Sequence, residues 1–178
     1  MKTTAIIISF IIAGIIVFLT LFFSEHDTKP AYRAKYKSLL PEVREQIDCL
    51  AENIYFESKG EPKLGQVAVG FVTLNRAKSD LFPKNICNVV KQQTNKVCQF
   101  SWYCEDKHRA MSIRKDLTTY SNPVYNEILE TAVHIYLHYD KLDDPTNGAL
   151  FFHAVYVQPG WKNLKKTVVI GKHIFYKI

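Results

Sequence analysis

Residues 3 to 24 carry no charge, and Ala5 to Phe23 is almost entirely Ile, Phe, Leu and Val. As a helix this run is long enough to cross a bilayer. A secretory signal is the rival reading, but its apolar core is shorter and ends in a small-residue cleavage site. Here the run ends Leu21-Phe22-Phe23-Ser24-Glu25. The expectation is an uncleaved N-terminal anchor over 1–24, a juxtamembrane linker over 25–41 and one catalytic-sized domain over 42–178.

Which side that domain faces is read from charge and cysteines. Lys29, Arg33, Lys35 and Lys37 follow the run, and a count of positive charges would keep the domain inside. Glu25 and Asp27 lie closest to the membrane, however, and long domains translocate despite basic flanks. All four cysteines, Cys49, Cys87, Cys98 and Cys104, follow the anchor. They allow three pairings, or they are four reduced thiols. Pairing implies an oxidising compartment, so the domain is expected to face the periplasm or cell wall. The net charge of +6 is dispersed among acids, with no recognition helix for nucleic acid. An anionic envelope surface suits it better, and no nucleic-acid partner is expected. Oligomeric state is not legible.

Past Pro41, the apolar positions Val43, Ile47, Leu50, Ala51 and Ile54 recur at helical spacing. Gly60 and Pro62 stop that helix, and Pro62 can start the next, a buried helix through Val67–Leu74. Asn85 to Gln92 reads as a short helix and Thr94 to Asp106 as irregular or hairpin-like. Asn122-Pro123 opens a long helix ending near Tyr139. Ala149 to Val157 and Thr167 to Tyr176 are β-branched and aromatic, as short strands are. The fold class is α+β, mostly helical, with the helices first.

The helix break carries the chemistry. Glu57 falls on the last turn, where the helix dipole disfavours a carboxylate and apolar neighbours Ile54 and Phe56 add desolvation. An acid that keeps its proton can protonate a glycosidic oxygen. Glu57 is the candidate catalytic acid. Glu61 is the candidate second carboxylate, or else a charge favouring the N-terminus of the following helix. Glu52 reads as solvated.

Several separated stretches, in order, carry a resemblance. They are Cys49 to Pro62, Gly65 to Arg76, Phe82 to Cys87, Cys98-Gln-Phe-Ser-Trp102, Gly148 to His153, Trp161 and Ile170 to Phe175. Together they resemble the SleB-like, spore-cortex-lytic-enzyme type of cell-wall hydrolase, across roughly residues 48 to 178. The resemblance implies a lysozyme-like catalytic fold behind the anchor, acting on peptidoglycan glycan strands. Related enzymes are lytic transglycosylases, cutting between N-acetylmuramic acid and N-acetylglucosamine. The family's catalytic glutamate falls on Glu57, and Glu57-Ser58 is similar to the Glu-Ser pair of lysozyme-like transglycosylases. By the same resemblance Ser58, Glu61, Gln99, Ser101, Trp102, His153 and Tyr156 are substrate-binding candidates, while Trp161 and His173 read as structural. No cofactor and no metal are expected. The chain departs from spore enzymes in having an anchor and no wall-binding repeats, which points to envelope remodelling or phage-directed host lysis.

A single acid suffices for transglycosylation, because the substrate's own C6 hydroxyl is the nucleophile. Hydrolytic muramidases use two carboxylates. A zinc amidase would use His134 and His138, spaced i, i+4, but the glutamate of the zincin motif is missing. A cysteine nucleophile with His153 as base, or an inactive wall-binding protein, completes the alternatives.

Overall fold

The computed structural model describes residues 28–105 and 122–178, and Ala13, which is helical. The apolar run that carries the anchor expectation lies outside the described residues apart from Ala13. Among the described residues, no helix is long and apolar enough to cross a membrane. Contacts divide the chain into two units, Met1–Leu39 and Leu40–Ile178. In the first, helix α1 (Thr28–Ser38) occupies much of the stretch read as linker. Its last turn is closed by the Ser38 hydroxyl, which donates to Lys35 O at 2.7 Å.

The second unit begins with helix α2 (Pro41–Ser58), whose first position is a proline that has no amide to leave unsatisfied. Lys59-Gly60 follows, and Pro62 forbids continuation of the helix. Helix α3 (Lys63–Lys78) is buried from Ala68 to Arg76. Gly70 makes that burial possible: a Cβ there would lie 2.3 Å from Ile135 Cδ1 and 3.0 Å from Ile54 Cδ1. Short helix α4 (Ile86–Val90) is capped by Asn85, which accepts from Asn88 N. A small hairpin, β1 (Gln93–Thr94) and β2 (Val97–Cys98), leads into α5 (Ser101–Glu105). Helix α6 (Pro123–His138) is capped by Asn122, whose side chain accepts from Tyr125 N. A 3-10 turn, Tyr139–Lys141, then leads to strands β3 (Phe151–Ala154), β4 (Lys165–Ile170) and β5 (His173–Lys177). The unit is mostly helical α+β, with the helices first.

Helices α2, α3 and α6 pack around Ile47, Leu50, Ile54, Val69, Phe71, Ile128 and Ile135, each at most 1% exposed. Burying an isoleucine of this kind stabilises by about 1.5–3 kcal/mol. Within this core, Asn53 donates to the Thr73 hydroxyl at 3.0 Å, which in turn donates to Val69 O. That bond fixes α2 against α3 along their length.

The three-stranded sheet is antiparallel in the order β3-β5-β4. The run Thr167–Tyr176 holds most of a hairpin of two short strands, folded at Gly171 with φ +56°. Its inner face, with Ile170, Phe175 and the neighbouring Phe152, packs on Ala68 and Val72 of α3. Its outer face presents Phe151 and His153 of β3 opposite Tyr176 and Ile174 of β5. The start of β3 is tied to the end of α3: Asn75 donates to Asp144 Oδ2 and Ala149 O, and Arg76 Nε donates to Leu150 O at 2.7 Å.

Candidate active site

Glu57 stands on the final turn of α2, partly exposed, one residue before the helix ends. Its neighbours are each held by a separate bond. The Ser58 hydroxyl donates back to Ile54 O at 2.8 Å and the residue is 2% exposed, so it buttresses the turn. Phe56, on the other side of Glu57, is stacked on Trp102 with ring centroids 4.4 Å apart and planes 14° apart. The Trp102 indole N–H donates to Asn53 Oδ1 at 2.9 Å. Asn53 is wholly buried, so Trp102 is fastened to the core of α2 by its edge and to Phe56 by its face.

The segment bearing Trp102 is shaped by the hairpin β1–β2 and by the Cys98–Cys104 disulfide across α5. The amide of Gln99 donates to Gln92 O, which leaves its side chain exposed, and Ser101 is exposed at the first position of α5. Gln99, Ser101 and Trp102 are thus carried together beside the helix of Glu57. The second disulfide, Cys49–Cys87, joins α2 to α4. All four cysteines are paired, which overturns the cysteine-nucleophile alternative.

Glu61 is committed elsewhere. Its carboxylate accepts from Lys172 N at 2.8 Å and lies 4.0 Å from His173 Nδ1, in the turn between β4 and β5. Helix α3 has Pro62 at its N-cap with no side-chain capping bond, and Glu61 precedes it with its carboxylate bonded to the β4–β5 turn. The turn needs the carboxylate: without it, the Lys172 amide would lose its acceptor. Gly171 has φ +56°, and a Cβ there would push the Glu61 carboxylate aside, so glycine suits the turn on both counts.

Arg76 is the residue that sequence reasoning missed. It closes an apolar helix and reads there as an ordinary basic group at a helix C-terminus. In the fold it is 5% exposed, with its guanidinium 5.0 to 5.8 Å from the ring centroids of Phe82, Phe100 and Phe151. Its Nη1 is buried with no hydrogen-bond partner among the described residues. Burial lowers its pKa to about 10, against an opposing attraction from Glu57. It stays charged at neutral pH, and it faces the candidate acid electrostatically.

His153 lies on the outer face of β3. Its Nδ1–H donates to Ala154 O, and its Nε2 accepts from the Tyr176 hydroxyl at 3.0 Å. Trp161, expected to be structural, is 44% exposed in the loop after β3, edge-on to Phe151, His153 and Tyr176. Tyr156, on the same loop, is 82% exposed. Phe151 contacts both Arg76 and Trp161, so one aromatic path runs from the surroundings of Glu57 to the outer face of the sheet. His134 and His138 stand on the exposed side of α6, with His138 Nδ1 bonded to His134 O. Among the described residues, no three potential ligands gather to hold a metal.

The chain is similar in sequence to known proteins. The spore cortex-lytic enzyme of Bacillus cereus is 33% identical over 141 residues, covering 74% of this chain and 44% of that one. That of Halalkalibacterium halodurans is 32% identical over 131 residues, covering 72% and 34%. The chain thus spans less than half the length of these relatives. Two solved structures are also similar: the catalytic domain of the Bacillus cereus SleB protein, and that of the germination-specific lytic transglycosylase SleB from Bacillus anthracis. Their identities are 29% and 31%, and their TM-scores 0.47 and 0.49; each covers 74% of this chain, with 89% and 93% of the respective structure covered. The family model described as cell wall hydrolase matches residues 60–176. That match starts at the break after α2 and ends in the last strand, and with it the chain belongs to the cell wall hydrolase family.

Proposed function

We propose that this chain cleaves the glycan strands of peptidoglycan as a lytic transglycosylase, with Glu57 as the sole acid and base. One observation carries the choice of mechanism. The carboxylate nearest in sequence after Glu57, that of Glu61, is bonded to Lys172 N in a strand turn. It is only 8% exposed and is not presented to activate a water. A one-carboxylate route needs none.

In that route, Glu57 gives its proton to the oxygen between N-acetylmuramic acid and N-acetylglucosamine, and the bond from the anomeric carbon to that oxygen breaks. The C6 hydroxyl of the same muramic acid then attacks the anomeric carbon, and its proton passes to the Glu57 carboxylate. The products are a strand with a 1,6-anhydro end and a strand with a free 4-hydroxyl, and the acid is regenerated. The buried charge of Arg76 stabilises the carboxylate that Glu57 becomes when it gives up the first proton. Trp102, held on Phe56 beside Glu57, and the exposed Gln99 and Ser101 of the same segment are proposed to bind the strand, since a ring face, an amide and a hydroxyl suit a sugar ring and its acetamido group.

Residues 1–24 are proposed to anchor the chain in a membrane, with the unit from Leu40 onwards on the side of the wall. The two disulfides support an oxidising location. Digestion of purified peptidoglycan by the full chain, followed by mass spectrometry of the new ends, tests the reading. Anhydro-muramyl ends are expected, and Glu57→Gln should lower their release by roughly 10²–10⁴-fold with an unchanged unfolding curve. Reducing muramyl ends would make water the nucleophile, and free stem peptides would mean an amidase.

A further inference from the structure

The outer face of the sheet carries a recess that catalysis at Glu57 does not use. The loop after β3 turns back on itself, with Val155 N donating to Lys172 O and Val157 N to Ala154 O. Gly160 and Asn163 take positive φ of 63° and 67°, which bends the loop over the strands. Between loop and sheet lies a cavity of about 340 Å³. That is the lower end of the range for small-molecule sites and suits a single ring-sized group.

Its walls have a definite chemistry. Trp161, Tyr176 and His153 form an aromatic corner, and Val157, Leu164 and Ile174 form an aliphatic side. The lining contains no Asp, Glu, Lys or Arg, so no charged side chain offers an ion pair there. The polar groups are oriented. His153 Nδ1–H is held by Ala154 O, so its Nε2 takes the Tyr176 proton. The lone pairs of the Tyr176 oxygen remain as acceptors for a hydroxyl or an amide N–H. Surface aromatics and valines also cluster here: Val155, Tyr156, Val157 and Trp161 are between 41% and 82% exposed.

We infer that this recess is a saccharide subsite that seats one N-acetylhexosamine of the glycan strand, with its ring against Trp161, its acetamide N–H or a hydroxyl on Tyr176, and its methyl against the aliphatic wall. The inference rests on the glycan-cleaving reading above. Phe151 touches both Arg76, which attracts Glu57, and Trp161 at the recess, so the recess lies two side-chain contacts from the surroundings of the candidate acid.

The chain has two tryptophans, so its indole N–H groups give two signals in a ¹H–¹⁵N spectrum. Trp161→Phe assigns them. A β-1,4-linked tetramer of N-acetylglucosamine, titrated into full-length Glu57→Gln protein, should move the Trp161 signal. Trp161→Ala should weaken tetramer binding by about tenfold, and Tyr176→Phe by a smaller factor, without loss of fold. Movement of the Trp102 signal alone would overturn the subsite while leaving glycan cleavage intact. So would immobility of both signals in a chain whose parent still releases muropeptides. Immobility of both, with no muropeptide release by the parent, would overturn subsite and cleavage together.

Discussion

Arg76 holds its charge where charge is costly. Desolvating a guanidinium costs several kcal/mol, and the three flanking rings return about 0.5–2 kcal/mol each. The bond from Nε to Leu150 O adds a structural reason for the residue. Its electrostatic attraction to Glu57 adds a chemical one. The two reasons separate by substitution. Arg76→Met keeps the bulk but strips Leu150 O of its donor, which should destabilise by about 1–3 kcal/mol. It also removes the charge that favours the Glu57 carboxylate, so the alkaline limb of the kcat/KM profile, set by the acid that must start protonated, should move to higher pH. Arg76→Lys keeps a charge and should leave that limb close to its original position. Urea unfolding and a pH–rate series measure the two effects, and an unmoved limb in Arg76→Met would make the residue purely structural. The position of Glu57 on a last helical turn could be read from the sequence because a Gly–Glu–Pro break is a local pattern. Arg76 could not, because its partners come from Phe82, Phe100 and Phe151, brought together only by folding.

The joint between the α2–α3 break and the β4–β5 turn shows the same limit among elements. Both halves were legible, the first as a helix stop and the second as a β-branched run. Their connection was not, since Glu61 reaches across the chain to Lys172 N. That long-range bond sits at the fold of the hairpin, beside Gly171, within the stretch that read as short strands. His173 makes the joint sensitive to pH. It is 8% exposed; burial lowers its pKa below 6.5, Glu61 pulls the other way, and His153 adds a smaller push downward. The folded chain therefore resists a proton that the unfolded chain accepts. The unfolded state binds more protons as pH falls through 6.5, so stability should fall there and level off once pH passes below the folded value. Denaturant midpoints taken across that window should show the decline, and His173→Phe should flatten it. A decline of equal steepness in the variant would assign it to other groups.

At the scale of the whole catalytic unit, helices are laid down first, and the sheet's central strand, β5, is the last element. An even number of cysteines was plain in the sequence, but their pairing depends on α4 docking beside α2, a tertiary event. The two bridges differ in what they can do. Cys49–Cys87 closes a separation of 38 residues and ties two core helices, whereas Cys98–Cys104 closes only 6 around the segment that carries Trp102. Restricting the unfolded chain scales with loop length, giving about 4 kcal/mol for the first and about 2 kcal/mol for the second. The expected effect on activity runs in the opposite order. Loosening the short loop frees Trp102 from Phe56 and Asn53, next to Glu57, while loosening the long one leaves that stack in place. Replacing Cys49 and Cys87 by alanine should therefore cost the most stability and leave turnover of the folded fraction nearly unchanged. Replacing Cys98 and Cys104 should cost less stability and most of the turnover. Urea titrations paired with muropeptide release on the same preparations decide it. If the pair that costs more stability also abolishes turnover of the folded fraction, the bridges share one role and the short loop does not position Trp102.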